Sequence, residues 1–565
     1  MPDVGAVLAG KPSPPLRSTM LDALSRPPVW IVVLIVSAIV FTILQTCWPF
    51  FSFSLSLAAS LAGLCVALVA LTATFAAARR ALRLPGIPAG ALPWLAGLVC
   101  LPLGWLAATS WPNSGDEHSY LFLADTLLAG RLTNPPAPDP ELFSMLRVFT
   151  MRGQTFSQYL PGWPMVLAAF RSAGATWLAN PALTAALGVC LLGAMRRLRT
   201  AASIQLPILL LALFTPLTLF NGASLFSGTL SAALTAAIAW QELVDEEQPA
   251  FSRKALIGVL FGLQLLTRVE MFLLIGGLYA ADRLWKRRWA AFADALPVLL
   301  GALPFVLFLL AFDRTITGDP FQTPVTLTNP DLEPSAIMTD PWQMFTRSIR
   351  HTVYWTAALG EYGGLVLLAL QFPALAFEAR RGALRFFHLA LPATIVFFLF
   401  FPHEGGYQYG PRYWFSAWPL AALTIGSGYV QSDASFIFGG RRLDLNMLTA
   451  ANLLFCIAML PGLIITTRVY IDARRAVFAD AAPVKPAIVL LPSRELKLWP
   501  WQRQLIEADS RDFARDDVDY KGPVLYGRLD APDALARACR LPGRAVFIWR
   551  GPGDLVRQDC PARPK

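Results

Sequence analysis

Two adjacent carboxylic acids, Asp116 and Glu117, begin a polar stretch that follows a long apolar run. A carboxylate at the outer mouth of a membrane cavity can act as a general base towards a hydroxyl group. Ser114 precedes Glu117 by three residues, which is also the spacing of a capping box at a helix N-terminus. Capping explains Glu117 about as well as catalysis does, but it explains Asp116 less well. We therefore expect Asp116 to carry the chemistry, with Glu117 in a supporting catalytic position.

A second candidate group, Arg268 with Glu270, interrupts an apolar stretch. Ionisable groups at membrane depth are costly and usually functional. The alternative is a structural ion pair that closes a helix break. We favour function, because the planar guanidinium of Arg268 can bond an anionic phosphate through two nitrogens at once.

The third candidate group is the polar stretch 403–414, which carries His403, Glu404, Arg412, Tyr413 and Trp414. An ordinary interfacial turn with an aromatic belt accounts for Tyr413 and Trp414. It does not account for His403, Glu404 and Arg412 together. We interpret Arg412 as a second phosphate contact.

The acidic residues and histidines of these groups make a divalent cation possible as a cofactor. Carboxylate and imidazole groups are common metal ligands. No spacing in the sequence enforces such a site, and no other cofactor is expected. The residues that would form it are Asp116, Glu117, His118, His403 and Glu404.

The elements that must position these residues are membrane helices. The chain has 565 residues, of which 55% are hydrophobic and 15% charged, and its mean hydropathy is +0.51. Long apolar runs of this kind are read as helices, because lipid offers backbone groups no water partner. The net charge of +10 resides in short clusters at the ends of runs, which is typical of membrane proteins and not of nucleic-acid binding. The polar, Pro-rich residues 1–28 precede a long apolar run, which predicts a retained span instead of a cleaved signal peptide.

We predict an α-helical polytopic membrane protein with about 13 transmembrane helices between residues 29 and 466. Residues 1–28 form a cytoplasmic segment, residues 112–178 the first outer loop, and residues 467–565 a small α/β domain. The predicted spans are 29–49, 54–78, 91–111, 179–195, 203–222, 224–242, 255–267, 270–285, 294–312, 359–378, 386–402, 415–431 and 446–466.

Basic clusters define the orientation of these spans, because Lys and Arg are enriched in short cytoplasmic loops. They precede span 1 and follow spans 2, 4, 6, 8, 10 and 12, whereas the alternate short loops are nearly free of them. The first outer loop, the loops 313–358 and 403–414, and the C-terminal tail are therefore predicted outside.

The same argument breaks residues 255–282 into two helices. A single span would place the basic cluster at 283–288 on the outside. A first helix that ends at Thr267 is ~18 Å long at ~1.5 Å per residue, too short for the ~30 Å hydrocarbon core. Arg268 and Glu270 would then lie at membrane depth, where a broken helix must line a wet cavity or be covered by protein.

Local structure is also predicted in the two outer regions. Apolar residues from Tyr120 to Leu128 share one helical face, Gly130 ends that helix, and a second interfacial segment covers 163–173. The tail has strand-like runs at 487–491 and 545–549 with a helix at 531–540 between them. We expect Cys539 and Cys560 of the tail to form a disulfide, since outside cysteines meet an oxidising compartment.

Several of these motifs resemble the GT-C superfamily of glycosyltransferases, and most closely its bacterial branch, related to protein O-mannosyltransferases and the lipid A aminoarabinose transferase. One motif is Asp116-Glu117 at the outer mouth, followed by an amphipathic helix. Residues 158–164 (QYLPGWP) and 262–268 (GLQLLTR) are similar to further family motifs, and 318–321 and 410–413 recur more loosely. The likeness covers roughly residues 91–466. The two spans before residue 91 and the C-terminal domain have no counterpart that we can match.

The resemblance implies an inverting transferase whose donor is a sugar on a polyprenyl phosphate. It places Asp116 as the base or acceptor-orienting residue, and the acceptor hydroxyl belongs to a glycan, a lipid or a protein outside the membrane. The location implied is the bacterial inner membrane, with a cytoplasmic N-terminus and a periplasmic C-terminal domain. The predicted substrate contacts are Arg268, Arg412, Tyr413, His403, Glu404, Tyr159, Gln158, Glu270 and His118.

Two alternatives stay open at this stage. A lipid-linked sugar flippase or transporter would spread its charged residues along the spans, whereas here they gather at one face. An O-antigen ligase or polymerase would carry its main catalytic loop late in the chain, whereas here it is early.

Overall fold

The computed structural model describes residues 27–47, 57–81, 84, 86–108, 111–329, 341–400, 408–429, 435–438, 441–496 and 506–560. The described chain is mostly α-helix, and the prediction of an α-helical polytopic membrane protein is confirmed. Six of its helices are long and apolar enough to cross a membrane, and the number rises to eight if each of two bent pairs is one span. The six are Val29–Cys47, Leu57–Ala78, Ala89–Ala108, Thr176–Arg197, Ala290–Thr317 and Leu445–Ala481.

The helices follow the apolar runs of the sequence, because every backbone group in lipid must be bonded within the chain. Several are shorter than the hydrocarbon core and are completed by a bent or broken neighbour. Those of the first half are α1 (Pro27–Cys47), α2 (Leu57–Ala81), α3 (Leu92–Leu103), α4 (Gly115–Leu128), α5 (Gly162–Ser172), α6 (Ala179–Arg197), α7 (Ala202–Leu213), α8 (Pro216–Ala223), α9 (Gly228–Glu247), α10 (Phe251–Thr267), α11 (Val269–Arg287) and α12 (Ala290–Thr317). Those that follow are α13 (Pro324–Thr328), α14 (Pro341–Glu361), α15 (Leu365–Arg380), α16 (Phe386–Leu399), α17 (Arg412–Phe415), α18 (Trp418–Tyr429) and α19 (Leu445–Ala481).

The predicted break at Arg268 is confirmed, and two further bends were not predicted. Arg268 has an extended backbone between α10 and α11. The predicted span 203–222 is bent by 56° between α7 and α8. The predicted loop 313–358 is wrong in its second half, where α14 forms and meets α15 at 114°. Hydropathy missed α14 because its apolar residues occupy one face only, with charged and polar residues between them.

The basic ends of the helices gather at one end of the molecule, as the loop charges predict. Lys254 pairs with Asp294 at the α10 and α12 ends. Glu246 at the end of α9 pairs with both Lys286 and Arg385, which follow different helices. These pairs place three of the predicted cytoplasmic loops together.

The predicted outer segments meet at the opposite end. The outer loop contains α4, a hairpin of β1 (Val148–Met151) with β2 (Gln154–Ser157), and α5. Gln154 Nε2 on this hairpin donates to the carbonyl of Ile316 at the end of α12 (3.0 Å). The predicted helix with its stop at Gly130 is confirmed, since α4 ends at Leu128 and Gly130 has a φ of +72°.

The C-terminal region is a small α/β unit that follows α19, which continues to Ala481, beyond the predicted span end at 466. Its main sheet has the strand order β10 (Asp554–Gln558), β9 (Ala545–Gly551), β5 (Ala487–Leu491) and β8 (Val524–Arg528), with β5 parallel to both neighbours. The predicted strands at 487–491 and 545–549 are confirmed, as are the helix between them and the disulfide Cys539–Cys560. The elements of this part are β5 (Ala487–Leu491), β6 (Arg494–Leu496), β7 (Ile506–Ala508), α20 (Ser510–Phe513), β8 (Val524–Arg528), α21 (Ala534–Arg540), β9 (Ala545–Gly551) and β10 (Asp554–Gln558); a hairpin of β3 (Ser435–Phe438) and β4 (Arg441–Asp444) precedes α19.

Candidate active site

Asp116 lies in the first turn of α4, which is fixed by its N-cap Ser114. The Ser114 Oγ accepts from the backbone N–H of Glu117 (3.3 Å), which is the N-cap half of the predicted capping box. The Glu117 carboxylate does not complete the box, because it accepts from Asn113 and Leu225 instead. The Asp116 carboxylate then points away from the helix into a cluster of polar side chains. The Tyr159 hydroxyl donates to its Oδ1 (2.5 Å).

Arg412 reaches the same carboxylate from the loop that begins α17. Its Nη1 and Nη2 lie 3.4 and 3.5 Å from Asp116 Oδ2. Its guanidinium carbon also lies 4.0 Å from the centre of the Phe226 ring. Tyr409 anchors the loop, since its hydroxyl accepts from Asn113 Nδ2 (2.6 Å). The sequence therefore identified two residues, 296 positions apart, that the fold brings together.

Arg147 is a third member of the cluster, and the sequence analysis missed it. Its Nε lies 3.5 Å from Asp116 Oδ1. Its backbone has a φ of +65°, a conformation that side-chain-bearing residues rarely adopt. Arg147 directly precedes strand β1 in the first outer loop, and a basic residue there opposes the positive-inside bias. Arg131, Arg152 and Arg171 lie in the same loop, so this signal alone does not single out Arg147.

Arg268 joins the cluster through two hydroxyl groups. Its Nε lies 3.4 Å from Ser227 Oγ, and the Tyr120 hydroxyl lies 3.4 Å from the same atom. The ring of Tyr120 packs on that of Tyr159, with centroids 4.4 Å apart. Contacts therefore run from Asp116 through the two tyrosines and Ser227 to Arg268.

The turn that carries Arg268 is held against the outer loop by a close approach. A Cβ on Gly162, at the start of α5, would lie 2.7 Å from the carbonyl of Leu266 and from Thr267 Oγ1. Only glycine allows the two segments to pack so closely. This contact joins the QYLPGWP and GLQLLTR motifs, so the fold brings both motifs to one site.

The cluster contains buried donors whose hydrogen bonds an anion could complete. Arg147 Nε, Arg268 Nη1 and Arg412 Nε are buried and have no hydrogen-bond partner among the described residues. Buried donors are nearly always bonded in folded proteins. Three arginines also face two carboxylates here, because Glu270 lies 3.7 Å from Arg268. The guanidinium groups therefore outnumber the carboxylates with which they pair.

The surroundings of Asp116 keep it ionised. Burial opposes ionisation, yet the guanidinium groups of Arg412 and Arg147 and the hydroxyl of Tyr159 outweigh it and lower the pKa of Asp116 below its ordinary value. The group is therefore a carboxylate at neutral pH. A carboxylate can accept a proton, whereas a neutral acid cannot.

Glu117 is placed for a different task. Its carboxylate accepts from the backbone N–H groups of Asn113 and Leu225, the second at 2.7 Å, and it is almost fully buried. Burial raises the pKa of Glu117 to about 7. Leu225 belongs to the turn that also carries Phe226 under Arg412 and Ser227 beside Arg268. Glu117 thus orders the floor of the site, and its carboxylate is not presented to a substrate.

The remaining predicted residues divide into two groups. Gln158 accepts from Asn329 Nδ2 (3.3 Å) and borders the cluster, and Tyr413 stacks on Phe398 with centroids 4.8 Å apart. His118 is not brought into the cluster, because its Nε2 faces Met145 Sδ at 3.3 Å and burial lowers its pKa well below the ordinary value. His403 and Glu404 lie outside the described residues.

A metal site finds no support in the described residues. They contain no group of three or more His, Cys, Asp or Glu side chains placed to hold a metal ion. Asp116 contacts two guanidinium groups and a hydroxyl, and these positively charged and donor groups suit an anion, not a metal cation.

The chain is similar to several solved structures. No protein-family model matches it, and no curated protein matches it. ArnT from Cupriavidus metallidurans in the apo state has 14% sequence identity and a TM-score of 0.46, over 81% of this chain and 92% of that chain. ArnT bound to undecaprenyl phosphate has 13% identity and a TM-score of 0.47, over 80% and 91%. The Archaeoglobus fulgidus oligosaccharyltransferase has 13% identity and a TM-score of 0.40, over 67% of this chain and 53% of that chain.

Proposed function

We propose that the chain is a membrane glycosyltransferase of the GT-C superfamily, which moves a sugar from a polyprenyl phosphate to an acceptor hydroxyl. The observation that carries the proposal is the cluster around Asp116. An ionised carboxylate is held between Arg412 and Arg147, and a chain of contacts links it to Arg268 at a helix break. Base and anion-binding groups therefore lie side by side, as transfer from a lipid phosphate requires.

The reaction assigns a role to each group. The acceptor oxygen attacks the anomeric carbon while its proton passes to Asp116. The bond between that carbon and the phosphate oxygen breaks, and its electron pair remains on the phosphate. Arg268 and Arg412 stabilise the charge that develops there, and preorganised cations are effective in such a site. The products are the glycosylated acceptor and the free polyprenyl phosphate, and the family resemblance implies inversion.

Donor binding would also adjust the base. In the described state the guanidinium of Arg412 lies 3.4 Å from Asp116, which weakens the carboxylate as a base. A phosphate bound by Arg412 competes for that guanidinium, and the pKa of Asp116 rises as the contact is shared. The base would therefore become effective only when the donor is present, which limits hydrolysis of the donor by water.

The location that we propose is the bacterial inner membrane, with the site on the periplasmic side. The arrangement of basic loops supports it, since Lys and Arg favour the cytoplasmic side. The disulfide Cys539–Cys560 supports an oxidising compartment for the C-terminal domain. That domain packs on the first outer loop through Arg537 and Asp139, so domain and site share one side.

The test uses the purified protein in nanodiscs with a panel of undecaprenyl-phosphate-linked, radiolabelled hexoses and pentoses, plus a membrane extract as the acceptor source. We expect time-dependent transfer of label from at least one donor and release of undecaprenyl phosphate. The Asp116→Asn variant should bind the lipid but not transfer. If intact donor crosses the bilayer of proteoliposomes without cleavage, and Asp116→Asn does so equally, the chain is a transporter and the proposal is wrong.

A further inference from the structure

Residues 142–147 of the first outer loop lie between the C-terminal domain and the first turn of α4. On the domain side, the backbone N–H of Arg528 donates to the carbonyl of Leu142 (2.8 Å). The N–H of Leu146 donates to the carbonyl of Arg511 (2.9 Å). The N–H of Asp516 also approaches Met145 Sδ at 3.3 Å. The domain therefore forms hydrogen bonds with the backbone of this segment near both of its ends.

On the other side, the same segment rests on the helix that carries Asp116. A Cβ on Gly115 would lie 2.7 Å from the Leu146 side chain, so that side chain packs directly on the residue before Asp116. The Ser119 hydroxyl donates to the carbonyl of Arg147 (2.7 Å). Arg147 is the last residue of the segment and the one that touches Asp116.

The contact is a shared hydrophobic core as well as a set of hydrogen bonds. Leu142 and Phe143 of the loop are fully buried among strand residues of the domain, including Val489 of β5 and Leu525 of β8. A core of this kind fixes the segment more firmly than surface contacts do. It also supports the left-handed backbone of Arg147, a conformation that persists only when its surroundings impose it.

We propose that the C-terminal domain is part of the catalytic unit, and that it holds residues 142–147 so that Arg147 stays in contact with Asp116. The inference rests on the proposed function, because Arg147 acts there as a positioning residue for the base. Its guanidinium fixes the Oδ1 side of the carboxylate while Arg412 fixes the Oδ2 side. Without the domain, the segment would lose its backbone partners and Arg147 its orientation.

An ion pair far from Asp116 allows the contact between the C-terminal domain and the first outer loop to be weakened without changing the site itself. Arg537 on α21 donates to both carboxylate oxygens of Asp139 (2.6 and 2.7 Å) and to Glu141 (2.5 Å). Asp139 in turn accepts from the backbone N–H of Leu142 (3.1 Å), where the segment begins. Arg537→Ala therefore loosens the domain at the start of the segment. The matched control is Arg528→Ala, which removes the side-chain pair with Asp530 inside the domain and retains the backbone N–H that donates to Leu142.

The experiment is a double-mutant cycle between Arg537→Ala and Arg147→Ala in the full chain, read as turnover with the active donor. We expect Arg537→Ala to lower turnover at least about fivefold in the wild-type background, since small misplacements of catalytic groups are costly. In the Arg147→Ala background the same change should have less than about a twofold effect, because the group it positions is already gone. Arg528→Ala should change neither background.

The pH profile provides a readout that a purely structural role would not move. Loss of Arg147 from Asp116 should move the acidic limb of kcat/KM to higher pH by about one unit, because one of the two guanidinium groups that lower the pKa of Asp116 is removed. Arg537→Ala should move the limb in the same direction, and Arg528→Ala should not. The charged and titratable groups that face Asp116 and could contribute are Arg147, Arg412, Arg268, Glu117, Tyr120, Tyr159 and Tyr413.

The outcomes separate this inference from the proposed function. If the wild type transfers sugar but Arg537→Ala acts equally in both backgrounds, with an unmoved pH profile, the domain is not a positioning element and the inference is wrong. If the wild type transfers no sugar from any donor, the proposed function fails instead. Should Arg537→Ala not fold, Asp139→Ala removes the same pair from the loop side and is subject to the same two criteria.

Discussion

Asp116→Asn separates the two roles that the candidate site combines, namely proton transfer and binding of an anion. The substitution keeps the shape of the side chain and the acceptor for the Tyr159 hydroxyl, but it removes the negative charge between Arg412 and Arg147. An amide cannot accept the acceptor's proton. Loss of a general base typically lowers turnover by ~10²–10⁴-fold, equivalent to ~3–5 kcal/mol in the activation barrier.

Binding of the lipid should change in the opposite direction. The three arginines of the cluster face the carboxylates of Asp116 and Glu270, so the substitution adds one unit of positive charge to the site. With an effective dielectric constant of about 40 and a separation of roughly 8 Å, this strengthens the interaction with a phosphate charge by about 1 kcal/mol. We therefore expect undecaprenyl phosphate to bind roughly fivefold more tightly to Asp116→Asn than to the wild type.

The assay combines turnover of the labelled donor with equilibrium binding of undecaprenyl phosphate to nanodiscs, at low ionic strength and then at high. The matched control is Asp125→Asn on the same helix, where the carboxylate makes an exposed pair with Arg171. That variant should leave both quantities within about twofold of the wild type, since exposed pairs contribute little. If Asp116→Asn lowers binding and turnover in parallel, or leaves turnover near normal, Asp116 is not the base of a phosphate-binding site.

Three further changes test other parts of the site. Glu117→Gln should lower the melting temperature, because the backbone N–H groups of Asn113 and Leu225 lose one of their two carboxylate acceptors, at a cost of ~1–3 kcal/mol. The folded variant should retain more turnover than Asp116→Asn, and equal turnover in the two variants would contradict this. Arg268→Ala should weaken undecaprenyl phosphate binding at least about tenfold, whereas Arg253→Ala at the other end of α10 should not, and equal effects would remove Arg268 from the phosphate site. Replacing Cys539 and Cys560 by serine should lower the stability of the C-terminal domain by ~2–4 kcal/mol, measured as a loss of resistance to limited proteolysis. Unchanged protease resistance would contradict a structural disulfide, and so would labelling of both thiols in the non-reduced, denatured wild type.

The sequence predicted the features that rest on local pattern and on charge. The helix break at Arg268 followed from the basic residues after the second helix, and the structure has the break at that residue, although α10 is longer than predicted and begins at Phe251. The strands and helix of the tail followed from short apolar runs. Asp116 followed from its position just beyond an apolar span, and Arg412 followed from being a basic residue in a predicted outer loop.

What the sequence did not predict depends on contacts between distant segments. Arg147 stands in an ordinary loop sequence, and only the fold brings it to Asp116. The amphipathic helix α14 was missed because its average hydropathy is low, although its Trp355 is fully buried. His118 was predicted as a substrate contact, but successive residues of a helix point in different directions, so it faces Met145 instead.

The two acids of the Asp116-Glu117 pair show why adjacent residues can serve one site in different ways. Neighbours on an α-helix diverge by about 100°, so only one of the two carboxylates can face the arginine cluster. The other turns into the protein, where it must find donors, and it finds them in Asn113 and in Leu225. Because Leu225 precedes Phe226 and Ser227, the inward carboxylate orders the two residues on which Arg412 and Arg268 rest. A pair of this kind therefore supplies an ionised base and the support for its cationic partners from one helical turn, and replacing Glu117 would impair the site through the turn at 224–227 without touching a substrate.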